Sequence, residues 1–239
     1  MVEWISHRGY CQSAAENTLA SFRAAEAIGF RHIETDLRLT KDRQIVLCHD
    51  EDLERMAGLS QRIEGSTREE LQKVRLSDGS SLCFLDELLD QFEHLRWTFD
   101  IKEPHGAELL SSFYELIYFK KKERWISSHV TFLAWSPVVE SGMKAEFPQA
   151  QFYARLEECK RAGLAHLARL SFLSGVTPSK IYSLSQRIYG VSLFQKSLVD
   201  RYHKQGAQVL AFLPETREDA RRALKAGFDQ ILSDHPPIS

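Results

Sequence analysis

Short apolar runs, rich in branched and aromatic side chains, alternate along the chain with longer runs that place apolar residues at helical spacing. The first pattern predicts strands and the second predicts amphipathic helices. The predicted strands are residues 2–6, 32–39, 97–102, 130–135, 151–154, 188–192, 209–213 and 230–233. The predicted helices are residues 18–28, 107–122, 138–147, 156–167, 195–204 and 216–225.

Strands that alternate with helices pair in parallel, because a parallel connection needs a crossover of a dozen or more residues. Eight such strands in 239 residues predict a (β/α)8 barrel, which typically takes about 250 residues. An open doubly wound sheet is the alternative fold, but no GxGxxG follows the first strand. Since no Gly/Ser-rich linker divides the chain, we expect one barrel domain over residues 1–239.

One further strand, at residues 45–48, interrupts the alternation. The short link to the strand before it predicts an antiparallel hairpin that turns around Asp42 and Arg43. Such a hairpin places His49 opposite Thr35 or Asp36. Residues 52–88 then form an excursion, in which "STREELQKV" and "FLDELLDQF" predict two short helices.

Polar residues cluster where the first three barrel strands end, which is where barrel enzymes carry their active sites. Period two places Glu34 and Asp36 on one face of their strand, and the same holds for Asp100 and Lys102. The residues expected at this rim are His7, Arg8, Glu34, Asp36, His49, Asp50, Asp100 and Lys102.

The carboxylates need compensation, since two of them about 4 Å apart repel by about 4 kcal/mol at an effective dielectric of 20. A shared proton, a nearby cation or a bound metal would each provide it. Three carboxylates, Glu34, Asp36 and Asp100, suit a hard divalent ion such as Mg²⁺ or Ca²⁺. The alternative is a purely structural ion-pair network with Arg8 and Lys102.

Two histidines and two cations point to phosphoryl chemistry at the same rim. His7 and His49 can exchange protons near neutral pH, although a histidine at a strand end often has a structural role. Arg8 and Lys102 suit a phosphate group. A glycosidase has less use for this density of positive charge.

Composition limits the classes of partner and the cellular compartment that are expected for this chain. The net charge of −2 gives no basic surplus for a nucleic-acid partner. Four scattered cysteines predict free thiols in a reducing compartment, and no apolar leader or membrane-length run is seen, so we expect a cytoplasmic protein without stable membrane insertion. The basic run at residues 120–124 is interpreted as a solvated helix end.

The chain resembles the glycerophosphodiester phosphodiesterases, and in particular their cytoplasmic bacterial form. The segments "ISHRG", "ENTLASFRAAEAIGFRHIETDLRLTKDRQIVLCHDEDLERMAG", "FLDELL", "FDIK" and "LKAGFDQILSDHPP" follow the family's order and spacing nearly end to end. The resemblance implies a distorted TIM barrel that uses a divalent metal to hydrolyse glycerophosphodiesters to glycerol 3-phosphate and an alcohol.

The resemblance also implies residue roles. His7 and His49 match the catalytic histidines, with His49 as the acid and His7 as the base. Glu34 and Asp36 match the first two metal ligands, and Asp100 stands where the family more often has glutamate. The matching phosphate-binding residues are Arg8 and Lys102.

Other departures concern the substrate. "AWS" replaces a usual Ser-Phe at the end of the fourth strand, and "LAFLPE" replaces a usual "WTVN" near the seventh. Ala15 replaces the proline of "PENT", and Asn17 or Thr18 is interpreted as the cap of the first helix. Trp135, Tyr153 and Phe212 are expected either to form an apolar wall for the alcohol or to pack in the core. Phospholipase-like action on lysophospholipids and non-catalytic phosphate binding are the alternative functions, and the oligomeric state is left open.

Overall fold

The computed structural model describes residues 2–188 and 190–238. Its first half contains the strands that carry most of the polar rim. The elements are, in order, β1 (Glu3–His7), α1 (Leu19–Ala27), β2 (His32–Leu39), β3 (Ile45–Leu47), β4 (Asp52–Leu53), α2 (Glu54–Ala57), β5 (Leu59–Arg62), α3 (Arg68–Gln72), α4 (Leu85–Gln91) and β6 (Arg96–Ile101).

The second half continues the alternation of helices and strands. Its elements are α5 (Gly106–Lys120), α6 (Glu123–His129), β7 (Val130–Ala134), α7 (Pro137–Glu146), β8 (Gln151–Phe152), α8 (Leu156–Leu167), a 3-10 turn at Ser171–Leu173, β9 (Ile181–Ser185), β10 (Arg187–Ile188), β11 (Val191–Ser192), α9 (Lys196–His203), β12 (Gln208–Phe212), α10 (Arg217–Ala226) and β13 (Gln230–Ser233).

Eight parallel strands form the barrel, in the order β8-β7-β6-β2-β1-β13-β12-β9. A single parallel bridge between Tyr153 and Ile181 joins the two ends, where the Ala154 amide donates to the Ile181 carbonyl over 2.8 Å. The predicted distorted TIM barrel is therefore confirmed, with its shortest seam between β8 and β9.

The predicted hairpin is also present. Strand β3 pairs antiparallel with β2, with Leu37 opposite Leu47. The Cys48 amide donates to the Asp36 carbonyl over 3.1 Å, so the returning chain sets His49 beside the end of β2. Arg43 has a φ of 62° in the turn.

The sixth barrel strand was wrongly placed by the sequence pattern at residues 188–192. The barrel strand is β9, seven residues earlier, and part of the predicted segment forms the small β10–β11 hairpin. Ile181, Tyr182 and Leu184 are buried, whereas Val191 is 48% exposed. Burial against the neighbouring strands, rather than local β propensity, selects the barrel strand.

Alternation along each strand divides the core into an outer and an inner part. Outward-facing side chains such as Ile33, Leu37 and Phe99 pack under the helices. Inward-facing residues such as Ile5, Leu210 and Leu232 fill the middle of the barrel. The same inward parity carries His7, Glu34, Asp36, Asp100 and Lys102, all of which line one cavity.

Candidate active site

Three adjacent strands bring the predicted polar residues together. In the parallel register, His7 of β1 lies beside Glu34 of β2, and Asp36 lies beside Asp100 of β6. All face the interior at the end of the barrel where β1 and β6 finish, as expected for a barrel rim, and β2 continues beyond this level into the hairpin.

Glu34, Asp36 and Asp100 form a buried cluster, which we call the carboxylate cluster. Each offers an oxygen, and these oxygens lie within 4.8 Å of one another. Among the described residues, Oε2 of Glu34 has no hydrogen-bond partner although it is buried. A buried carboxylate oxygen without a partner is costly, and such groups are typical of sites that bind a further ligand.

The electrostatics of the three carboxyls differ. Burial, together with the charges of Asp36 and Asp100, raises the pKa of Glu34 well above its usual value. Burial and the Asp36 charge also raise the pKa of Asp100, in spite of Lys102. Burial alone would raise the pKa of Asp36, but Lys102 and Arg8 outweigh it and lower that pKa. Asp36 is thus the firmly ionised member of the cluster.

Two cations flank the carboxylate cluster. Nε of Arg8 lies 3.0 Å from Oδ2 of Asp36, while Nζ of Lys102 lies 2.9 Å from Oδ1 of Asp36 and 2.5 Å from Oδ2 of Asp100. Arg8 has a φ of 57°, and Gly9 follows at 86°. A Cβ at Gly9 would lie 2.4 Å from Oγ of Ser21, so glycine is required for this turn to pass over α1.

Of the two helix-cap candidates, Thr18 is the cap and Asn17 has a different role. Thr18 caps α1 by accepting from the Ser21 amide, whereas Asn17 has a φ of 56° and a buried side chain. Nδ2 of Asn17 donates to Oδ2 of Asp36 over 2.8 Å, and its Oδ1 accepts from Thr35 over 2.7 Å. The side-chain amide of Asn17 therefore fixes the orientation of Asp36. This contact cannot be deduced from the local sequence pattern.

Each predicted histidine has a carboxylate on its Nδ1. His7 Nδ1 lies 2.8 Å from Oδ1 of Asp234, which follows β13, and His49 Nδ1 lies 2.7 Å from Oδ1 of Asp50. Arg38 donates to the His49 carbonyl over 2.7 and 2.9 Å and so holds the backbone there. With Nδ1 engaged, Nε2 is the ring nitrogen available for proton transfer.

An ion-pair chain joins His49 to Arg8; we call it the rim chain, formed by Asp50, Arg55 and Glu16. Arg55 of α2 lies 2.6 Å from Asp50 Oδ2 and 2.6 Å from Glu16 Oε1, and Glu16 Oε1 lies 3.1 Å from Arg8. The excursion after β3 thus contributes a side chain to the site. Sequence reasoning missed this role for Glu16 and Arg55; Glu16 lay in the recognised "ENT" segment, but its partner did not stand out.

A cavity of about 450 Å³ extends from the carboxylate cluster to an apolar side of the barrel. Trp135 and Phe212, 48% and 42% exposed, lie on its walls with Leu156 and Leu193. Tyr153 also borders the cavity, but its buried hydroxyl donates to Gln230 rather than facing the mouth. The Trp135 indole N–H donates to Oδ1 of Asp100 over 2.7 Å.

A second polar cluster closes the opposite end of the barrel; we call it the lower ring. Glu3, His32, Thr98, Tyr153 and Gln230 form a closed circuit of contacts at 2.8–3.2 Å. Arg96 adds a contact of 2.6 Å to Oε1 of Glu3. Sequence reasoning did not predict this ring. Most of its members are the first residues of four strands, namely Glu3, His32, Arg96 and Gln230.

Comparison with known proteins shows which protein family this barrel resembles. The profile of the Glycerophosphoryl diester phosphodiesterase family matches residues 7–238. A glycerophosphodiester phosphodiesterase of Caldanaerobacter subterraneus subsp. tengcongensis is 25% identical over 97% of this chain and 93% of its own. A lysophospholipase D of Homo sapiens is also 25% identical, over 97% of this chain and 83% of its own.

Solved structures with a similar fold include proteins of the same family. A glycerophosphoryl diester phosphodiesterase domain from Mycobacterium tuberculosis superposes with a TM-score of 0.81, at 16% identity over 98% of this chain and 96% of that one. The family profile that matches residues 7–238 shows that the chain belongs to the glycerophosphoryl diester phosphodiesterase family, whose members are phosphoric diester hydrolases. No described helix has the length and apolar character needed to cross a membrane.

Proposed function

We propose that this protein hydrolyses glycerophosphodiesters to glycerol 3-phosphate and an alcohol, with a divalent metal at the carboxylate cluster and proton transfer by His7 and His49. The observation that carries the proposal is the cluster itself: three buried carboxylates, one oxygen without a partner among the described residues, two cations beside them and two histidines on the same cavity. Oxygen donors of this kind fit Mg²⁺ or Ca²⁺.

Glu34, Asp36 and Asp100 would hold the ion, which supplies Lewis-acid polarisation of the phosphoryl group when bound. Arg8 and Lys102 provide fixed positive charge for the negative charge that develops on the phosphoryl oxygens. Asn17 and the rim chain keep Asp36 and Arg8 in place, so that little reorganisation is needed during reaction.

The protons balance through the two imidazoles. Nε2 of His7 takes a proton from the attacking hydroxyl. When that hydroxyl belongs to water, glycerol 3-phosphate forms directly. When it is the vicinal glycerol hydroxyl, a cyclic phosphate forms, and water then opens it to glycerol 3-phosphate with the roles of the two imidazoles reversed. Nε2 of His49 gives a proton to the alkoxide that leaves as the P–O bond breaks. Asp234 and Asp50 accept from Nδ1 and set the ring orientation in both cases.

The histidine roles are tested by replacing each ring. We expect His7→Ala and His49→Ala each to slow release of glycerol 3-phosphate from glycerophosphoethanolamine by at least about 10²-fold. With a p-nitrophenyl leaving group, which needs little protonation, the loss in His49→Ala should shrink while that in His7→Ala persists. Near-normal turnover of glycerophosphoethanolamine by either variant would refute the assignment.

The apolar side of the cavity favours a second candidate, hydrolysis of lysophospholipids. Trp135, Leu156 and Phe212 continue the cavity away from the charged rim and have room for an apolar group. Comparing kcat/KM for glycerophosphocholine and lysophosphatidylcholine, each with a chelator control, separates the two. A preference for the first supports the main proposal, and a preference for the second supports the alternative.

A further inference from the structure

We propose that Trp135 is a positioning residue that holds Asp100 in the orientation needed for metal binding. The proposal rests on the metal site proposed above. Its direct observation is the 2.7 Å hydrogen bond from Nε1 of Trp135 to Oδ1 of Asp100. Since Lys102 holds the other oxygen over 2.5 Å, both oxygens of this carboxylate are fixed by donors.

The strand register explains how the indole reaches a residue on the neighbouring strand. Ile101 of β6 pairs with Ala134 of β7, so Trp135 follows at the level of Lys102 and has the inward parity. Its ring leans back over Asp100, and Nζ of Lys102 lies 5.7 Å from the ring centroid. A cation at this distance from an indole face is attracted to it, which holds the ring from a second direction.

A hydrogen bond of this kind leaves the carboxylate able to bind an ion. An indole can only donate, and an ionised carboxylate has about four acceptor positions, so Oδ1 keeps a lone pair after accepting from Trp135. Donors behind ligating carboxylates orient them and strengthen metal binding.

The short side chain of Asp100 makes its orientation decisive. Aspartate is one methylene shorter than glutamate and therefore has less reach towards an ion. A rotation that turns its oxygens away from those of Glu34 and Asp36 cannot be offset by extending the side chain. The indole removes that freedom. Were Trp135 only an apolar wall of the cavity, phenylalanine would serve equally well, and this difference allows the two roles to be separated.

The test is a metal titration that requires no turnover. The affinity of chelator-treated protein for Mn²⁺ or Ca²⁺ is measured by calorimetry for the wild type, Trp135→Phe, Asp100→Glu and the double variant. We expect Trp135→Phe to weaken binding by about 10- to 100-fold. Asp100→Glu should restore most of that loss when it is combined with Trp135→Phe, because the longer side chain reaches the ion without the indole. In the wild-type background, Asp100→Glu should give no gain.

Trp125→Phe is the matched control. Trp125 donates its indole N–H to the Glu93 carbonyl, away from the cavity, so its loss should leave the affinity within about twofold of wild type. Thermal melting of each variant checks that the fold persists, which is expected for Trp135→Phe because the ring is half exposed.

The outcomes divide cleanly. Unchanged affinity in Trp135→Phe, or an equal loss in Trp125→Phe, overturns the positioning role. A loss in Trp135→Phe that Asp100→Glu fails to restore overturns the explanation by side-chain length. If the wild type itself binds no ion, the proposed metal site fails, which is a different result from failure of Trp135 alone.

Discussion

The two ends of the barrel use similar polar residues in different ways. In the lower ring, Glu3 meets Arg96 and His32 through one oxygen and Gln230 through the other. In the carboxylate cluster, three acids share two cations, and Oε2 of Glu34 has no partner among the described residues. The charged groups of the lower ring pair with one another, as in a structural network, whereas the carboxylate cluster leaves a buried carboxylate oxygen unpaired among the described residues.

This difference in hydrogen bonding is the one expected between a functional site and a structural polar network. Buried networks that are satisfied stiffen a fold, whereas unsatisfied ones cost stability and persist where function requires them. Replacing matched residues at the two ends should therefore change activity at one end and stability at the other.

Glu34→Gln should give the largest effect on rate. We expect kcat/KM for glycerophosphocholine to fall by at least about 10²-fold, because a charged ligand is lost where transition-state charge is stabilised. The free energy of unfolding should rise by about 1 kcal/mol, since a repelling carboxyl is removed. Denaturant unfolding and steady-state kinetics measure both, and a clear loss of stability would argue that the upper cluster is also structural.

Glu3→Gln should behave in the opposite way. Removing the carboxylate leaves Arg96 and His32 without their charged acceptor, so we expect a loss of about 1–3 kcal/mol in the free energy of unfolding. The kcat/KM should stay within about threefold of wild type, because Glu3 itself is not among the residues that line the cavity. A strong loss of activity in a folded Glu3→Gln protein would remove the distinction between the two ends.

Arg55→Ala tests the rim chain between them. Arg55 is half exposed but links Asp50, which holds His49, to Glu16, which holds Arg8. We expect kcat to fall by about tenfold with little change in stability, since exposed ion pairs contribute little to folding. Arg62→Ala, in the same excursion but paired only with Glu51 and Glu64 among the described residues, is the control and should keep its rate.

The pH dependence of stability should give the smallest effect. Burial lowers the pKa of His32 and outweighs the hydrogen bond and charge of Glu3, which raise it. As the pH falls below about 6.5, His32 becomes protonated in the unfolded chain but stays neutral in the folded chain. The free energy of unfolding therefore decreases as the pH drops below about 6.5.

His32→Gln should remove this contribution. The slope of unfolding free energy against pH should become shallower than in the wild type by up to about 1.4 kcal/mol per pH unit. Urea unfolding between pH 7 and pH 5 provides the comparison. Parallel slopes in the two proteins would mean that His32 does not set the acid sensitivity of the lower ring.

The fold and most of the upper cluster were predictable from the sequence because they depend on periodicity. Period two put Glu34 and Asp36 on one face, and the short link around Asp42 required the hairpin that returns His49. The position of β9 was not predictable, because residues 181–185 and 188–192 have similar strand character and only burial separates them.

Contacts between distant segments could not be read from the sequence either. The indole of Trp135 meets Asp100, and Tyr153 meets Gln230, through orientations that the packed barrel decides. Asn17 reaches Asp36 because its backbone adopts a positive φ, where the sequence suggested a cap. Such contacts depend on where strands lie in space, which the local pattern does not contain.

The central claim is that the carboxylate cluster is a metal site that serves phosphodiester hydrolysis. The most direct test measures glycerol 3-phosphate release from glycerophosphocholine before chelation, after EDTA treatment and dialysis, and after adding Mg²⁺ or Ca²⁺ back. We expect turnover to be lost with the metal and restored by one of these ions. Turnover that survives complete chelation, or its absence with every divalent ion, would contradict the account.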